Sequence, residues 1–106
     1  MTFIKGYITK HLQPVCCTEG EKAVLLCEVL EGAGVCRWLK DGTEITSDKK
    51  YNMVEKGKER QLEITSVGLL DGGTYCVDVK GQRSAADIRV KGINSLYLIL
   101  PVNIHF

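Results

Sequence analysis

From residue 12 to residue 90 the chain is a succession of short runs in which apolar and polar residues alternate, cut by Gly, Asp and Lys turns. Successive side chains of an extended strand point to opposite faces, so such a run buries one face and wets the other. No stretch carries a sustained helical period, which leaves an all-β chain. Ala23, Leu25, Cys27 and Val29 share one parity against Val24, Leu26 and Glu28. Cys36, Trp38 and Lys40 form the next set, closed by the turn signal Lys40-Asp41-Gly42-Thr43. Tyr51 and Met53, then Leu62 and Ile64, then Tyr75, Val77 and Val79 mark three more strands, the last ending in Lys80-Gly81-Gln82. Ser84, Ala86, Ile88 and Val90 alternate with Asp87 and Arg89 in a final one. The charged run from Glu55 to Arg60 reads as a solvated turn.

At 106 residues the chain is one domain, large enough for an apolar core without staples. A net charge of +1 gives no reason to expect nucleic acid or an anionic membrane as a partner. The first ten residues hold no continuous apolar run followed by a small-residue cleavage site, so no secretory leader is expected. Asn52, Asn94 and Asn103 are followed two places on by Val54, Leu96 and His105, so none is a glycosylation sequon. Five cysteines, an odd count, leave at least one thiol free in any pairing.

The combination of Cys27, Trp38, Leu62, Ile64, Asp71, Gly73 and Tyr75, with Glu19-Gly20-Glu21 ahead of the 23–29 run and Trp38-Leu39-Lys40-Asp41-Gly42 at the close of the 36–40 run, resembles the I-set immunoglobulin domains of giant muscle proteins such as titin, obscurin and myosin-binding protein C. The resemblance spans about Leu12 to Val90 and implies an immunoglobulin-like Greek-key β-sandwich of the I-set, occupying residues 1–91. It assigns structural core roles to Cys27, Trp38, Leu62, Ile64, Asp71, Tyr75 and Val77. Trp38, the only tryptophan, is expected between the sheets, and Tyr75 is expected to bond back to the backbone near the turn that precedes it. Asp71 is expected to pair with Lys50 rather than Lys49, a plain turn aspartate being the alternative. Where extracellular members carry the second cysteine of the interlayer bridge, this chain has Val77, with Cys76 one place early and so on the outer face. That offset argues for a reducing compartment.

Cys17, Cys27 and Cys36 are then all expected to face the interior as a candidate thiol cluster, either as reduced core residues or as a non-standard bridge among them. A metal site is not expected, because Cys16 and Cys17 are adjacent and point to opposite faces, and His11 and His105 lie near opposite ends. No cofactor is expected either, since no Gly-rich phosphate loop opens a helix. Catalysis would need a nucleophile with a positioned base, and the pattern offers none beyond those two histidines, so no catalytic residue is assigned.

The expected function is that of a non-catalytic structural and protein-binding module in an intracellular muscle or cytoskeletal scaffold. Its expected partners are other proteins, sarcomeric or cytoskeletal, and neighbouring domains of a larger chain, with no nucleic acid and no membrane. Its expected place is the cytoplasm, at the sarcomeric Z-disc or M-band. The alternative is an extracellular adhesion or receptor immunoglobulin domain. After Lys91 the pattern breaks: residues 92–106 form a nearly uncharged apolar tail, expected to lie outside the domain and to be disordered or loosely packed, packing on the sandwich being an alternative. It is too short for a bilayer, which takes about 20 residues.

Overall fold

A computed structural model describes residues 6–93, and the tail expected over 92–106 lies, beyond Ile93, outside the described residues. The strands run in the order β1 (Ile8–Lys10), β2 (Val15–Thr18), β3 (Ala23–Val29), β4 (Arg37–Lys40), β5 (Thr43–Glu44), β6 (Tyr51–Lys56), β7 (Glu59–Ile64), β8 (Gly73–Val79) and β9 (Gln82–Lys91), with a 3₁₀ turn at Leu69–Asp71. They form two sheets, one ordered β1-β3-β7-β6 and the other β2-β9-β8-β4-β5. This is the all-β sandwich that the alternation requires.

The inward parities meet between the sheets. Ala23, Leu25, Cys27 and Val29 from β3 and Leu62 and Ile64 from β7 face Trp38, Tyr75, Val77, Val79 and Ile88 of the other sheet, all buried. Trp38 is 1% exposed, so its ring supplies a large share of the buried apolar surface. Val77 is fully buried opposite the β3–β7 layer, whereas Cys76 beside it is half-buried on the outer face. Packing, and no interlayer sulfur bridge, closes the sandwich at this point, since all five cysteines are free thiols.

Several features escape the alternation. β1 precedes the first run read from sequence and pairs with β3 through Ile8–Val29 and Lys10–Glu28. β5 adds a short strand after the 40–43 turn, Leu39 meeting Glu44. Cys36 lies just outside β4, which begins at Arg37. The solvated-turn reading of Glu55–Arg60 is corrected: β6 runs to Lys56, β7 begins at Glu59, and only Gly57 and Lys58 make the turn. Arg60 shares the parity of Leu62 and Ile64 and is therefore carried inward, where it is 7% exposed.

Candidate functional site

Among the described residues no cleft gathers reactive side chains, so the features that can act are the ladder joining the early strand β2 to the last described strand β9, the corner that braces it, and the apolar surface left outside. β2 pairs with β9 in parallel, Val15 with Ile88, Cys16 with Arg89, Cys17 with Val90 and Thr18 with Lys91. The ladder continues into the next turn through Glu19 N–H, which donates to Lys91 O at 2.7 Å. β2 lies near the start of the chain and β9 near the end of the described residues. Because the two strands are parallel, pulling the chain from both sides loads opposite ends of the ladder and shears its bonds together.

Beside the foot of β9 stands a braced corner. Tyr75 is fully buried and its hydroxyl donates to Asp71 O at 2.6 Å. Burial pushes the phenol well above its usual pKa, so it stays a donor at any ordinary pH. The Asp71 carboxylate accepts the Gly68 N–H at 2.6 Å and meets Lys50 Nζ at 2.8 Å, and Lys50 Nζ also donates to Ser66 O at 3.4 Å. The structure thus brings Lys50, Asp71 and Tyr75 to one point and leaves Lys49 out of it. Across β8, a Cβ added at Gly73 would lie 2.9 Å from Asp41 Oδ2, so this site needs glycine for the Asp41 carboxylate to approach. That carboxylate accepts the Thr74 N–H at 3.0 Å, which holds its pKa below the usual range, with help from Lys40.

The three candidate thiols have different neighbours. Cys27 lies opposite Arg60 in the β3–β7 ladder, and its electrostatic neighbours are Cys36, Arg60 and Glu28. Burial, then Cys36, pushes its pKa up to about 11. Burial likewise raises Cys36, which is half-buried against the core. Cys17 is also raised by burial first, then by Glu21, Cys16 and Asp71. Raised values make poor nucleophiles at neutral pH, so these thiols behave as small apolar groups.

Arg60 is the feature that the residue pattern concealed. Its guanidinium donates to the carbonyls of Gly57 at 2.8 Å, Glu59 at 3.0 Å and Gly34 at 3.0 Å, tying the β3–β4 connection to the β6–β7 turn. Its Nε is buried with no hydrogen-bond partner, the Glu55 carboxylate standing 4.0 Å away. Asp78, on the outward parity of β8, is also buried, beneath Arg83 at 2.8 Å and Arg37 at 3.5 Å. Hydrogen bonds from Arg83 and from the Gly81 N–H hold its pKa below the carboxylate range.

His11 Nδ1 lies 2.8 Å from Ser84 Oγ, a contact not foreseen from sequence. The same hydroxyl accepts the Leu12 N–H at 3.0 Å and is buried inside the sandwich, so it ties the segment before β2 to β9. Exposed apolar side chains fall in three places: Val24 and Leu26 on the outer face of β3, Leu30 and Val35 between β3 and β4, and Leu69, Leu70 and Ile93 at the opposite end. Among the described residues no group of His, Cys, Asp and Glu is arranged to hold a metal ion, and no helix is long and apolar enough to cross a membrane.

Comparison with known proteins places this geometry. The family model for the immunoglobulin I-set domain matches residues 6–91. The chain is 34% identical over 86 residues to mouse cardiac-type myosin-binding protein C, covering 79% of this chain and 7% of that protein. It is 33% identical over 84 residues to titin of Drosophila melanogaster, covering 79% of this chain and, to the nearest per cent, 0% of that protein. The chain therefore spans only a small part of these relatives. Among solved structures, domain I10 of titin superposes with a TM-score of 0.77 at 30% identity, over 79% of this chain and 96% of that one. A chain of the Titin M10–Obscurin like 1 Ig complex does so with a TM-score of 0.76 at 26% identity, over 80% and 92%.

Proposed function

The chain belongs to the immunoglobulin I-set family, and from that premise we propose that it serves as a non-catalytic structural and protein-binding module of an intracellular muscle or cytoskeletal scaffold. The observation that carries this reading is the parallel β2–β9 ladder, which spans the path between the incoming and outgoing chain. Under tension its bonds are loaded in shear and must fail together, so the folded module acts as a fixed spacer and releases contour length only when it opens. Partner proteins, sarcomeric or cytoskeletal, have two ways to dock: on an exposed sheet edge by strand addition, or on an outer face. The muscle relatives, and one family member solved as a Titin M10–Obscurin like 1 Ig complex, support this use. Val77 in place of a bridging cysteine, together with thiols that are all free, favours a cytoplasmic site, at the Z-disc or M-band, over an extracellular adhesion role.

The test is the thiol state and location of the protein in striated muscle cells. Cells are lysed into denaturant with an alkylating agent and no reductant, and the mass of the tagged chain is read alongside its position by microscopy. Five labels with a striated pattern support the reading. Three labels, or a secreted product, overturn it in favour of an oxidised extracellular domain.

A further inference from the structure

Three of the large apolar side chains that the sandwich leaves in water belong to residues close to the place where the chain leaves β9. Leu70 is 91% exposed, Leu69 58% and Ile93 57%. Leu69 and Leu70 belong to the 3₁₀ turn, and Leu69 lies against the outgoing strand: a Cβ at Gly92 would be 3.5 Å from Leu69 Cδ2. The exit itself is held in place, since Ile93 N–H donates to the Glu19 carboxylate at 3.3 Å. Adjacent leucines exposed on a turn at the end of a soluble domain are surface that association would remove from water.

The sequence beyond Ile93 matches that surface in chemistry and in reach. Residues 94–106 carry no Asp, Glu, Lys or Arg, and residues 96–102 read Leu-Tyr-Leu-Ile-Leu-Pro-Val. Leu96 is three residues beyond Ile93, a span of roughly 10 Å of extended chain, so the apolar run begins within reach of the turn and needs only one reversal to lie on it. Tethering makes the contact intramolecular, so a modest apolar patch suffices where two separate molecules would need a far larger one.

We propose that Leu69, Leu70 and Ile93 form a docking patch for residues 96–102 of the same chain. The contact shields the leucines of the turn and the apolar run together. It also packs on the 3₁₀ turn whose Asp71 accepts the Tyr75 hydroxyl, so it sets the direction in which the chain leaves the module.

The test is amide hydrogen exchange of residues 96–102 in the full chain, compared with the Leu70→Asp and Leu98→Asp variants at two protein concentrations. Leu70 is almost wholly exposed, so its substitution leaves the sandwich intact, which the unchanged exchange of β3 and β8 verifies. Expected is at least tenfold protection over unstructured-chain rates in the wild type, independent of concentration and lost in both variants. Exchange at unstructured rates in the wild type overturns the proposal. So does protection that grows with concentration, which means a second copy is the occupant, and so does protection that survives Leu70→Asp, which means the segment lies elsewhere.

Discussion

Replacing Tyr75 by Phe removes a single oxygen and leaves the buried ring, which makes it a clean probe of the corner. The hydroxyl is buried and donates to Asp71 O at 2.6 Å. Losing a neutral hydrogen bond costs about 1 kcal/mol net, and a buried carbonyl left without its donor adds a desolvation penalty, so the loss is expected at about 1–3 kcal/mol. For a domain of this size each kcal/mol moves the melting midpoint by roughly 4–8 °C, which predicts a fall of about 5–20 °C. The neighbouring ion pair provides the comparison. Lys50 side-chain exposure is 39%, so solvent screens its 2.8 Å contact with Asp71, and Lys50→Met should cost below about 1 kcal/mol. Urea denaturation of both variants, at constant m-value, reads the two losses directly. If Tyr75→Phe lies within about 0.5 kcal/mol of the wild type, or Lys50→Met costs more than it, the ranking of a buried neutral bond above a half-exposed ion pair is wrong for this corner.

Two further outcomes concern the interior charges and thiols. Arg60→Met should keep stability within about 1 kcal/mol, because the freed carbonyls of Gly34, Gly57 and Glu59 belong to exposed residues that water can solvate, and a buried cation with an orphan Nε is removed; a loss above about 2 kcal/mol by urea denaturation would show that those three bonds outweigh the desolvation. Cys27, raised from 9.0 to about 11, contributes stability that is fully present below the unfolded value and lost as pH climbs through the folded one. Stability in reductant should therefore fall by about 1.4 kcal/mol per pH unit from this group between the two values, and the slope should drop by one proton in Cys27→Ala; an unchanged slope refutes the assignment.

The periodicity is enough to place most strands and the inward set, because a two-sheet sandwich has one dry interior and parity alone decides which side chains enter it. Tyr75, Val77 and Trp38 are legible for that reason. β1 and β5 are not, since strands of three and two residues, β1 half-buried to exposed and β5 exposed throughout, are too short to show a period. At Arg60 composition and parity disagree: a run of charges suggests solvent, yet the residue sits in step with Leu62 and Ile64. A long stem with a delocalised cation can follow that parity inward and spend its donors on backbone carbonyls near the rim. Asp78 breaks the rule from the other side, an outward carboxylate buried because two arginines fold over it.

The cysteines mark the limit of such reading, because parity gives a residue's face and says nothing of its height along the strand. Cys17 lies one residue before Thr18, whose carbonyl accepts the Glu21 N–H in the turn leading into β3, so it sits near the Ala23 end of the sandwich, beside the 3₁₀ turn. Cys27 is four residues further along β3, a rise of about 13 Å from Ala23, and its electrostatic neighbours are Cys36, Arg60 and Glu28. Of the other thiols only Cys36, which comes back to that height through the β3–β4 connection pinned by Arg60 on Gly34, becomes an electrostatic neighbour of Cys27. Register along the strands, which depends on where each turn closes, is the quantity that separates one candidate cluster into a pair and a single residue.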